Sequence, residues 1–114
     1  MTTDVRRALS ERYVTALVDG GHLRSPDWVK AFREVPRDLF TPRFFCPVSE
    51  DDYGRFVAIR PDSPGWLEAI YGDDALVTQL DGEDQRWQDA LNEPVTGTPS
   101  SSSSQPSLIA KMLE

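Results

Sequence analysis

The chain has 114 residues, 39% hydrophobic and 27% charged, which suits one small folded domain and is too apolar for a disordered polyampholyte. Its net charge is −7, unevenly spread: residues 1–45 carry eight Lys/Arg against six Asp/Glu, residues 46–114 four against thirteen. That balance argues against nucleic acid as a ligand, and no apolar run approaches the ~18 residues of a membrane-spanning helix.

The N-terminus, MTTDVRRALSERYV, lacks the apolar core of a secretory signal, and the single cysteine, Cys46, forms no internal disulfide. Both point to a cytoplasmic protein. Cys46 and the one histidine, His22, have no metal-site spacing and read as structural. The arginines of the N-terminal part read as a solvated helix face rather than as a surface for an acidic partner.

Thr3 to Asp19 is predicted helical, with Val5, Ala8, Leu9, Tyr13, Ala16 and Leu17 on one face, Thr3 as cap and Gly20-Gly21 as stop. Ser25-Pro26-Asp27 supplies a cap, a first-turn proline and an early acid. Trp28, Ala31, Phe32 and Val35 then follow at helical spacing, so a second short helix ends at Pro36 and packs on the first as a hairpin. In VPRDLFTPRFF, residues 35–45, two prolines forbid a regular helix. Leu39, Phe40, Phe44 and Phe45 are expected to fasten that stretch to a core.

Residues 46–65 are acidic and broken by prolines, with only FVAI, 56–59, as a short strand. Trp66 to Tyr71 reads as a helical turn, and Leu76-Val77-Thr78 as a strand after a turn at Gly72-Asp73-Asp74. Residues 81–103 read as a flexible polar and Ser-rich loop, with a helical turn at Arg86 to Leu91. Pro106 opens a final helix, capped from Ser104 or Gln105, whose apolar stripe is Leu108, Ile109, Met112 and Leu113. It ends on Glu114 without a stop signal and reads as cut rather than finished. The expected organisation is a helical region with a short strand over 1–80, the loop over 81–103 and a helix start over 104–114.

Three stretches, VPRDLF at 35–40, YGDDAL at 71–76 and SSQPSLIAKMLE at 103–114, come in an order that resembles the N-terminal part of the protein-L-isoaspartate O-methyltransferase family. The resemblance spans nearly the whole chain. Each motif alone is weak; the three in order are moderately specific. The chain departs from the family's pattern in the long stretch 79–99 and in Ser-Ser where the family has Thr-Ile, which brings it closer to an actinobacterial branch that modifies peptides.

The resemblance implies transfer of a methyl group from S-adenosylmethionine to a carboxylate of a peptide or protein bearing isoaspartate or aspartate. It implies substrate contacts at Ser104, which matches the serine of the family's Ser-Gln-Pro, and at Ser102. A carboxylate is ionised at neutral pH and needs no general base, so such a site works by positioning. A hydroxyl and the N–H groups of a helix start suit that task. The family's cofactor lies in a doubly wound α/β core with a glycine-rich turn, and these residues contain no Gly-x-Gly. The fold expected here is therefore an α+β region, mostly helical and loop-rich, with at most a two-stranded sheet. It would precede a cofactor core absent from the chain and be inactive alone. The competing readings are a small peptide-binding module using Trp28, Phe32, Phe40, Phe44 and Phe45, and a gene remnant without catalysis.

Overall fold

The computed structural model describes residues 3–114. In chain order the elements are α1 (Thr3–Asp19), α2 (Pro26–Glu34), α3 (Arg37–Phe40), β1 (Phe44–Ser49), β2 (Asp52–Ile59), α4 (Trp66–Ile70), β3 (Leu76–Leu80), α5 (Gln85–Asn92), β4 (Val95–Thr96), β5 (Pro99–Ser103) and α6 (Pro106–Leu113). The fold is α+β. The chain forms two compact units: one holds the chain up to Phe40, Leu67–Asp74 and Ser104–Glu114, the other Thr41–Trp66 and Ala75–Ser103.

The first unit is helical. Leu9, Tyr13, Val14 and Leu17 form the buried stripe of α1, while Val5 is exposed. The Gly20-Gly21 stop is there: Gly21 has φ +75°, and the N–H groups of Gly21 and His22 reach back to the carbonyls of Val18 and Leu17. That is the left-handed helix ending that glycine makes cheap. The Thr3 cap lies outside what is described. The α1–α2 hairpin is held by Tyr13 stacked on Phe32, centroids 6.5 Å apart, and by Arg33 Nε on Glu11 Oε1 at 3.0 Å. No residue of α2 is fully buried.

Ser25 makes no side-chain cap to α2. Its N–H donates to the Glu114 carboxylate at 2.6 Å, and its hydroxyl and the Arg24 N–H donate there as well. Those bonds, led by that of the Ser25 hydroxyl, hold the Glu114 carboxyl below its ordinary pKa.

The second unit is a five-stranded sheet in the order β4-β2-β1-β3-β5, with every pairing antiparallel. Phe45, Phe56, Leu80, Trp87, Ala90 and Val95 pack together where α5 meets the sheet. Phe45 meets Trp87 edge-on at 5.4 Å, and Arg43 lies over the same indole at 4.9 Å. Trp66 donates its indole N–H to the Pro42 carbonyl at 2.7 Å.

The sheet corrects the expectation of at most two strands. It also corrects the reading of 81–103 as loop, since that stretch carries α5, β4 and β5. The physical reason is visible in β5, an edge strand whose serines bond across to β3. Thr78 Oγ1 donates to Ser101 Oγ at 3.0 Å, and Ser100 Oγ donates to Gln79 Oε1 at 3.1 Å. An edge strand facing solvent needs no apolar alternation, so the periodic signal is missing. A tight turn opens this region. Asp81 adopts φ +55° and Gly82 +67°; the Asp81 N–H donates to the Thr98 carbonyl, and the Thr98 N–H returns to Asp81 Oδ1, both at 2.8 Å.

The segment 35–45 contains one helical turn, α3, and the start of β1. Phe44 and Phe45 are buried as anchors, whereas Leu39 and Phe40 are exposed. No helix among the described residues is long and apolar enough to cross a membrane.

Candidate functional site

The candidate site grows out of Pro36, which ends the extended residue Val35 and opens α3 with Arg37. The Arg37 guanidinium is half-buried and donates to three carbonyls: Ile70 at 2.6 Å, Asp74 at 3.2 Å and Ser104 at 3.2 Å. Ile70 is the last residue of α4, so its carbonyl has no partner further along that helix. A planar fork with five donors suits this job, and a point charge does not. Burial pulls the Arg37 pKa below its ordinary value, against the raising influence of Tyr13, Asp73, Asp74 and Tyr71.

Asp38, the next residue, is buried. Its Oδ1 accepts the Tyr71 hydroxyl at 2.6 Å, and its Oδ2 lies 2.9 Å from Arg6 Nη2 as a charge pair. Burial and the bond to Asp38 push the Tyr71 phenol well above the ordinary tyrosine range. Tyr13 meets Tyr71 edge-on at 5.4 Å, and burial raises its phenol too.

Asp73 secures the start of α6. Its Oδ1 accepts the Ser107 N–H at 2.8 Å, and its Oδ2 accepts from Gln105 Nε2 at 3.3 Å. Burial acts to raise the Asp73 carboxyl, but the bonds from Ser107 and Gln105 outweigh it and leave the pKa low. The helix was expected to be capped from Ser104 or Gln105. Gln105 stands at the cap position without a side-chain cap bond, and the cap comes from Asp73 instead. The reason is Pro106: it has no N–H, so the first orphan donor of α6 is Ser107, which Asp73 reaches from outside the helix.

This changes what the helix start offers a ligand. The Ser107 N–H is taken by Asp73, and the Leu108 and Ile109 N–H groups donate to the Gln105 carbonyl at 3.1 and 3.2 Å. The expected cradle of helix N–H groups is therefore already filled. Ser104 remains, exposed, with its carbonyl fastened to Arg37. Ser102 belongs to the other unit, where it is exposed on β5 opposite Val77.

Sequence reasoning found the stretches but missed the residues that join them, Arg37, Asp38, Tyr71 and Asp73. The available signal was polar: a charged residue just after a proline, and an aspartate in a turn two residues past a tyrosine. Among the described residues no cluster of His, Cys, Asp and Glu could hold a metal ion. No family's sequence model matches the chain, and no curated protein or solved structure matches it.

Proposed function

We propose that the chain is the N-terminal, substrate-side region of an enzyme like the protein-L-isoaspartate O-methyltransferases, which moves a methyl group from S-adenosylmethionine to a peptide or protein carboxylate. The observation that supports this is that the parts of the three resembling stretches that lie in the first unit, 35–40, 71–74 and 104–114, are joined by hydrogen bonds. Arg37 of Val-Pro-Arg donates to the carbonyl of Ser104, and Asp73 of Tyr-Gly-Asp accepts from Gln105 and Ser107.

The residues present do not fit the cofactor. Every strand pairing is antiparallel and the sequence has no Gly-x-Gly turn, so nothing here matches the seat that a doubly wound core gives a nucleoside. What these residues do is position: Arg37 fixes the backbone at Ser104, and the exposed hydroxyl there is the hydrogen-bond donor offered to a carboxylate. Holding that oxygen in line is most of what such a transfer requires of the protein.

The test is methyl transfer to an isoaspartyl peptide by a polypeptide that joins these residues to a cofactor domain. Ser104→Ala should lower kcat/KM about tenfold or more, the loss of a charge-assisted hydrogen bond. Unchanged kcat/KM would remove Ser104 from the site.

A second reading is an interaction module. Leu39, Phe40, Leu108 and Met112 are exposed in the first unit, Phe40 at 75% and Met112 at 73%. The aromatic strip first expected for such a module does not form, because Phe44 and Phe45 are buried.

A further inference from the structure

The first unit contains a cleft of about 350 Å³ whose walls are cationic. Arg6, Arg7, Ser10 and Glu11 of α1 line one side; their spacing puts them on one helix face. Arg33 of α2 lines the other, and Pro36 and Tyr71 form an apolar part of the lining.

The three guanidinium groups are unequally occupied. Arg6 is anchored by the buried carboxylate of Asp38 at 2.9 Å, yet its side chain is 44% exposed. The pair with Asp38 involves one of its nitrogens, and the side chain also lines the cleft. Arg33 uses its Nε for Glu11, an exposed pair that costs little to loosen. Arg7 is exposed. Three positive charges therefore face two negative ones, Glu11 and Asp38, on a chain that is otherwise strongly acidic.

We propose that this cleft binds an acidic peptide segment, whose carboxylates pair with Arg6, Arg7 and Arg33 while its backbone lies over Pro36 and Tyr71. Planar carboxylates match guanidinium forks. A lone small anion fills only a small part of the volume, and the apolar patch between the charges gives it nothing to touch. The net charge of −7 opposes any polyanion, and it opposes a nucleic acid strand, charged at every nucleotide, more than a peptide with spaced carboxylates. The proposal does not depend on the methyl-transfer reading, because it concerns binding by residues other than Ser104. It replaces the solvated-face reading of these arginines.

The test is fluorescence anisotropy with a labelled peptide of alternating aspartate and alanine, and with its asparagine counterpart. The aspartyl peptide should bind, more weakly as salt rises, and the asparaginyl peptide at least about tenfold more weakly. Arg7→Ala and Arg33→Ala should each weaken binding about threefold to tenfold, with helix content unchanged by circular dichroism. Arg60→Ala, in the other unit, should bind as the unaltered chain does. Arg6→Ala is not the variant of choice, since it strips the buried Asp38 of its charge partner. Amide shifts on titration should centre on Ser10 and Tyr71. Failure of the aspartyl peptide to bind, equal binding of both peptides, wild-type binding by Arg7→Ala and Arg33→Ala, or tighter binding of an oligothymidylate would each overturn the proposal.

Discussion

Asp73 accepts the Ser107 N–H at 2.8 Å, so α6 is capped by a side chain that lies 34 residues earlier in the chain. The cap is a long-range tie rather than a local motif. Asp73→Ala should cost about 1 kcal/mol in urea unfolding, the usual value of a helix cap. Asp73→Asn keeps an oxygen acceptor and should cost less.

The same tie gives a pH dependence. The Asp73 carboxyl is held low in the folded state, so its contribution is fully present above the ordinary carboxylate range and is lost as pH falls through the folded pKa. Asp73→Asn should flatten that part of the stability profile. Unfolding midpoints across the acidic range, compared for the two proteins, check it.

Arg37 is the other half of the site. Arg37→Ala removes one donor group from three carbonyls and should cost about 1.5–3 kcal/mol, the range for a hydrogen bond to a charged group. Arg37→Lys should recover only part of this, because one ammonium cannot match the fork. Denaturant titration of both variants measures the difference.

The Tyr71 phenol runs the opposite way in pH. It is held neutral by burial and by Asp38, so the unfolded chain loses this proton first and stability falls as pH rises past the ordinary tyrosine range. Ultraviolet titration should show this tyrosine ionising only with unfolding. Asp38→Asn should bring its titration down.

Much of the first unit was legible because its helices announce themselves locally. Pro26 and Pro106 at first turns, Gly20-Gly21 at a stop and the Leu9, Tyr13, Leu17 stripe all carry a signal within a few residues. The sheet was not legible, because β5 is built of serines whose partners are Thr78 and Gln79, some twenty residues away. Strands β1 and β4 were missed for a related reason. Pro47 interrupts β1 and β4 is only two residues long, so neither shows alternation. At the candidate site the residues that support Ser104 were not legible. Arg37 and Asp73 act through tertiary hydrogen bonds that no spacing rule encodes.

The turn at Asp81 shows that limit again. A non-glycine residue at φ +55° is costly, and here its carboxylate repays part of the strain by accepting the Thr98 N–H. Asp81→Ala should destabilise the fold by about 2 kcal/mol. Asp81→Asn, which tolerates the same backbone and keeps an acceptor, should cost much less. Thermal unfolding of the pair decides it.

The proposed function makes these residues the substrate side of a carboxyl methyltransferase whose cofactor is held elsewhere. The most direct measurement is calorimetric titration with S-adenosylhomocysteine, run on these 114 residues and on a polypeptide carrying whatever is encoded after Glu114. Binding by the longer polypeptide alone is expected. Tight binding by the 114 residues, or none by the longer polypeptide, would contradict it.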